Sequence, residues 1–252
     1  MGFLIALQFL TSVPVPLRRE LTPQQLGRAT VYFPLVGLVI GIVLAALCWL
    51  LGFILPLSVV NVLLIVVLVI LTGALHLDGL ADTCDGLAGH RSVEERWKVM
   101  RDSRTGAFGV VGIVLLLLAK YVSLNSVPPT LLIPVLVFMP VVSRWAMVYA
   151  LFAFPYARPA GLGTAYKSAT RWPQFAVATV VTLAVAAALF PLFSFMGFVL
   201  VAGVWIIATL LSFYFKRKFA GLTGDTYGAI NEVSEVMALV ITILAANVAY
   251  YF

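Results

Sequence analysis

The chain has 252 residues, 63% of them hydrophobic and only 10% charged, whereas a soluble domain has about a quarter of its residues charged. Composition therefore excludes a soluble globular protein and selects an integral membrane one. The net charge of +6 does not point to nucleic acid: the lysines and arginines lie in short connections between apolar runs, as the positive-inside rule requires.

In chain order, residues 1–13 form a short apolar run that ends at Pro14 and Pro16, before Arg18 and Arg19. No basic residue precedes it as a secretory signal would require, so the expectation is a retained interfacial or re-entrant helix. Seven candidate spans follow, roughly 31–55, 58–76, 107–126, 131–152, 174–193, 196–215 and 233–252, at about 20 apolar residues per crossing. Pro56, Pro128-Pro129 and Pro191 separate the pairs. The expected fold class is an all-α polytopic bundle of about seven transmembrane helices plus the short N-terminal helix. Residues 1–252 are read as a single membrane-embedded domain. Two cysteines, Cys48 and Cys84, give no disulfide framework.

Basic residues alternate between connections. Arg18, Arg19 and Arg28 precede the first span, and Arg91, Arg96, Lys98, Arg101 and Arg104 lie between the second and third. Arg158, Lys167 and Arg171 follow the fourth, Lys216-Arg217-Lys218 follows the sixth, and the other connections carry none. This pattern predicts a cytoplasmic N-terminus, cytoplasmic segments 76–106 and 216–235, and an external C-terminus.

Chemistry concentrates in those two segments. Of ten acidic residues, three (Asp78, Asp82 and Asp85) fall within His76-Leu-Asp-Gly-Leu-Ala-Asp-Thr-Cys-Asp-Gly86. Spacings of four and three place them on one face of a helix, where like charges repel and a hard cation such as Mg²⁺ relieves the repulsion. Arg101-Asp102-Ser103-Arg104-Thr105-Gly106 offers guanidinium pairs for phosphate oxygens, with the positive-inside role as the plain alternative. A second acidic group combines Thr223-Gly224-Asp225-Thr226 with Glu232 and Glu235; acids near a helix start are also dipole complements. Lys120 and Arg144 lie inside spans, and an intramembrane Arg needs a partner. His76 is an orienting or hydrogen-bonding candidate, and the scattered aromatics read as packing and lipid-interface residues. No Walker-type phosphate loop occurs. Residues alone reach a membrane-embedded, metal-dependent phosphoryl or phosphonucleotidyl transferase.

The acidic eleven-mer, with Arg101–Gly106, resembles the cobalamin (5′-phosphate) synthase family, the adenosylcobinamide-GDP ribazoletransferases. Gln8–Pro16, Tyr32–Gly37, Ser143-Arg144 and Thr223–Gly228 resemble it in the same order. The resemblance implies attack by a hydroxyl of α-ribazole, or its 5′-phosphate, on the phosphate attached to adenosylcobinamide in adenosylcobinamide-GDP. GMP leaves, with Mg²⁺ as cofactor, at the bacterial cytoplasmic membrane. Asp78, Asp82 and Asp85 become catalytic candidates, and Asp78, Asp82, Asp85, Asp225 and Glu232 the metal ligands. His76, Arg101, Asp102, Ser103, Arg104, Lys120, Arg144, Thr223, Gly224 and Thr226 are the substrate-binding candidates. Partners are the two substrates and the lipid bilayer, not nucleic acid, with a second copy or a corrinoid-pathway complex left open. Asp82-x-x-Asp85-Gly86 also resembles part of the CDP-alcohol phosphotransferase signature, which makes that family the alternative enzyme. An ion-coupled transporter is the alternative from another class, and a purely structural subunit the third.

Overall fold

Apolar runs punctuated by proline and glycine fold here into helices, as a chain must when lipid offers its backbone no hydrogen bonds. The computed structural model describes residues 1–16, 21–89, 92–158 and 162–251; Arg18, Arg19 and Arg91 of the charge pattern lie outside them. Thirteen α-helices occur among the described residues. They are α1 (Gly2–Leu10), α2 (Pro23–Ala29), α3 (Phe33–Leu51), α4 (Leu57–Thr72), α5 (Leu75–Leu87), α6 (Val93–Val99), α7 (Ala107–Ser126), α8 (Pro129–Ala153), α9 (Leu162–Ala169), α10 (Trp172–Ala188), α11 (Phe190–Phe193), α12 (Met196–Phe219) and α13 (Gly224–Tyr251). Five helices are long and apolar enough to cross a membrane, or seven if each of two bent pairs counts as one span. The polytopic all-α fold is as the hydropathy pattern predicts.

The hub is α8. Val135, Phe138, Val141, Val142, Ala146 and Val148 on it are all fully buried. α3 packs along it through Gly37 and Gly41, a GxxxG pair, the spacing that lets transmembrane backbones approach closely. A Cβ on Gly41 would collide with the backbone of Val137 and meet the Leu136 carbonyl oxygen at 2.9 Å. That carbonyl has no helical N–H partner, because residue 140 is proline. The outward faces stay apolar: Trp49, Phe53, Leu115, Leu118, Val180 and Leu210 are exposed, as lipid contact demands.

Several boundaries differ from the hydropathy reading, each for a local reason. The second span stops at Thr72 because Gly73 and Ala74 both take left-handed φ, of 58° and 55°. The chain turns there by 90° into α5, which carries the acidic stripe away from the span. α12 continues through Lys216, Arg217 and Lys218, three cations in its last turn that complement the helix dipole. α13 begins at Gly224 rather than near 233. Its start is capped where Thr223 Oγ1 accepts from the Thr226 amide at 3.3 Å and Thr226 Oγ1 from the Thr223 amide at 2.8 Å. The short N-terminal helix is present, with Ile5, Ala6 and Leu10 buried. Behind it, the Ser12 amide donates to Leu71 O at 2.7 Å and its hydroxyl to Ile70 O at 2.7 Å. This fastens α1 to the bend that launches α5 and sets Phe9 beside the acidic helix.

Candidate active site

α5 and α13 cross where both are reduced to glycine. A Cβ on Gly79 would meet Asp225 O at 2.8 Å, and one on Gly228 would meet His76 O at 3.0 Å. This close approach brings the two acidic groups of the sequence together. Asp225 is then oriented from a third element. The Ala157 amide donates to Leu222 O at 2.7 Å and the Leu222 amide to Pro155 O at 2.8 Å, pinning the segment after α8 beside the start of α13. Gly221 makes this fit possible: its φ is +151°, and a Cβ there would lie 2.8 Å from the Ala157 backbone. Arg158 consequently donates to Asp225 Oδ2 at 2.9 Å.

The three aspartates of α5 have separate surroundings. Asp78 and Asp225 line a cavity of about 180 Å³ together with His76, Phe9, Phe33, Tyr166 and Tyr227. Asp85 lines an open groove with Asp102, Arg104, Gly106 and Phe108. Asp82 lies on the same stripe between them. Burial first, and then the charges of Asp225, Asp78 and Asp85, push its carboxyl up to about 7. A half-buried carboxylate among three others is a place where a cation lowers the energy.

Asp85 itself is engaged. Its Oδ2 accepts from the Gly106 amide at 2.7 Å and its Oδ1 from the Gly109 amide at 2.9 Å, satisfying the open N-terminus of α7. Replacing it with Ala should cost about 1–2 kcal/mol, the range for loss of a helix cap. A lowered melting temperature of the detergent-purified variant is the readout; unchanged melting would show that α7 does not need this cap.

Glu232 does not join Asp225. It lies two turns into α13, buried, with its Oε2 2.9 Å from Lys120 Nζ. The same ammonium donates to Glu235 Oε2 at 2.7 Å, and the Arg144 guanidinium pairs with Glu235 Oε1. Asn231 Nδ2 donates to Glu235 Oε1 at 3.3 Å. Two cations and two carboxylates thus neutralise one another inside the bundle, linking α7, α8 and α13 directly behind His76. Lys120 and Arg144 are therefore held in this network, and the predicted acidic residues at a helix start are acids in a helix interior.

The remaining candidates lie on the surface or in caps. Arg101, Asp102, Ser103 and Arg104 are exposed. Arg104 donates to Asp102 through Nε at 3.0 Å and Nη2 at 2.8 Å, which pulls the Asp102 carboxyl down to about 2. Arg101 faces a second open groove beside Lys98 and Trp97. Thr223 and Thr226 are fully buried and occupied in the α13 cap, while Gly224 lies at the cavity with open space where a Cβ would be. Sequence reasoning missed Arg158, read there only as a topology charge, and Phe9, Phe33, Tyr166 and Tyr227, read as packing. Their spacing along the chain carries no signal; only the fold assembles them.

Among the described residues no group of three His, Cys, Asp or Glu side chains forms a ready metal cage. The donor set nonetheless fits Mg²⁺. That ion takes hard oxygen, and it commonly uses only one or two carboxylates with water and substrate phosphates completing its shell. Asp78 and Asp225, together on the cavity wall, supply such oxygens, and Asp82 follows Asp78 on the same stripe of α5.

Comparison with known proteins points to one family. The sequence model of the family described as cobalamin-5-phosphate synthase matches residues 2–243. An adenosylcobinamide-GDP ribazoletransferase of Roseiflexus sp. (strain RS-1) is 41% identical over 96% of this chain and 88% of its own. Another, from Geotalea daltonii, is 40% identical over 94% of both chains. A third, from Syntrophobacter fumaroxidans, is 39% identical over 93% of this chain and 94% of its own. No solved structure matches. The chain belongs to the cobalamin-5-phosphate synthase family.

Proposed function

We propose that this chain transfers the adenosylcobinamide phosphate of adenosylcobinamide-GDP to α-ribazole or its 5′-phosphate, releasing GMP. Its named relatives, at 39–41% identity over nearly the whole chain, support the reaction class. The observation that carries it at the level of chemistry is the acidic stripe of α5, with Asp78 on an aromatic cavity, Asp85 on an arginine-bearing groove, and Asp82 between those two along the helix.

The oxygen of a ribazole hydroxyl forms the new bond to the phosphorus that bears cobinamide. The bond from that phosphorus to the bridging oxygen breaks, and the bridging oxygen leaves with GMP. Asp82, its carboxyl raised by burial and by the neighbouring carboxylates, takes the hydroxyl proton as general base. Arg104, which lines the groove with Asp85, exchanges Asp102 for phosphate oxygens, and Arg101, exposed at the second groove, exchanges solvent for them; a guanidinium binds such oxygens in bidentate fashion. Arg158 holds Asp225 in place. The Lys120–Glu232–Glu235–Arg144 network ties α13 to α7 and α8 without touching the reacting atoms. Asp78 and Asp225, together on the cavity wall, would hold Mg²⁺, which when bound neutralises charge on the diphosphate and the departing nucleotide.

The alternation of basic connections supports an orientation with this face on the cytoplasmic side of a bacterial inner membrane. A chelator should stop GMP release by the reconstituted protein, and Mg²⁺ added in excess should restore it. Undiminished turnover in chelator would remove the metal from this reading.

A further inference from the structure

We propose that the cavity walled by Phe9, Phe33 and Tyr166 is the subsite for the base of the accepting nucleoside, a flat and largely apolar aromatic bicycle. The assignment rests on the transferase reading above and divides its two substrates between two pockets. The rings come from three elements: Phe9 ends α1, Phe33 opens α3, and Tyr166 lies on α9. Their centroids are 4.7 Å apart for Phe9–Tyr166 and 5.9 Å for Phe9–Phe33 and Phe33–Tyr166. Opposite them stand Asp78 and His76.

His76 is 1% exposed, lines this cavity, and has no hydrogen-bond partner on either ring nitrogen. The Tyr227 hydroxyl, on the same wall, also lacks one. Buried polar groups are ordinarily paired, and these two belong to residues of the cavity wall, so a ligand entering it is the partner we assign them. The benzimidazole of ribazole carries one free ring nitrogen, and the attached ribose carries hydroxyls; either matches these two side chains.

Size and polarity separate this ligand from the other substrate. A cavity of about 180 Å³ is comparable with the ~150 Å³ apolar cavity that takes up a benzene ring, the scale of one small aromatic ring system and not of a whole corrin. Guanine is of similar size, but its edges carry more donors and acceptors that need partners when desolvated, and much of the lining here, with Phe9, Phe33, Leu75, Met147 and Leu151, is apolar. A hydroxyl nucleophile gains from Asp78 and Asp225 as hydrogen-bond acceptors on the cavity wall, while the anionic diphosphate gains from a guanidinium. Its place is the groove at the other end of the stripe, lined by Arg104. A base in the cavity would then direct its ribose towards Asp82 and the phosphate beyond.

The test is steady-state GMP release by the full chain in liposomes, with each substrate varied in turn. Gly224→Leu projects into open space at the cavity without meeting a neighbour at its Cβ, so it narrows the cavity in a folded protein; Phe9→Ala removes a stacking wall. Both should raise KM for α-ribazole by about tenfold or more, the scale of one lost base–aromatic stack, and leave KM for adenosylcobinamide-GDP within about twofold of wild type. A rise confined to the adenosylcobinamide-GDP KM would place guanine in the cavity and overturn the assignment, as would unchanged constants for Gly224→Leu. Absence of GMP release from the wild type would instead refute the transferase reading itself.

Discussion

Asp82→Asn should lower GMP release by at least about a thousandfold, the upper range for loss of a positioned general base, while the protein stays folded in the membrane. The substitution keeps the side-chain volume and removes the charge whose neighbours, Asp78, Asp85 and Asp225, raise its carboxyl towards neutrality. With one fewer negative charge in the cluster, the melting temperature should hold or rise. Rate loss without stability loss separates Asp82 from Asp85, whose replacement acts through the cap of α7. Near-normal turnover of Asp82→Asn would take it out of the reaction.

The second large effect concerns the buried charges. Glu235→Ala leaves Lys120 and Arg144 facing Glu232 alone, an uncompensated positive charge in a site where Glu235 and Arg144 are both 0% exposed. Breaking a buried pair from one side costs about 3–5 kcal/mol, a large share of a domain's whole stability. The purified variant should unfold at a markedly lower temperature. Lys120→Met combined with Glu232→Leu removes one charge of each sign and leaves the Arg144–Glu235 pair intact. That double variant should recover much of the loss seen in Lys120→Met alone, and a cycle of the four proteins reads the coupling directly. Strictly additive losses would show that the ion pair does not couple the two helices.

The same comparison explains what the sequence made legible. Seven apolar runs and the alternation of charge are one-dimensional signals, and both follow from the bilayer's demand for apolar length. The stripe of Asp78, Asp82 and Asp85 is legible because the helical repeat converts spacing into a shared face. What α5 faces is not legible that way. Asp85 meets Gly106 and Gly109 only because α7 starts where it does, and Glu232 meets Lys120 across 112 residues of chain. Arg158 looks like any loop cation until the pairing of Tyr156 with Leu222 sets it against Asp225. Thr223 and Thr226 look like a ligand loop, yet a hydroxyl three residues from another at a helix start serves equally as a cap. The aromatic cavity needs α1, α3 and α9 docked together, and no local pattern announces that.

One measurement bears on the central claim most directly: the products formed by the purified protein in liposomes given Mg²⁺, adenosylcobinamide-GDP and α-ribazole 5′-phosphate. Adenosylcobalamin 5′-phosphate and GMP appearing together in equal amounts is the predicted result. GMP without a cobalamin product, or neither product from folded and Mg²⁺-supplied protein, would contradict it.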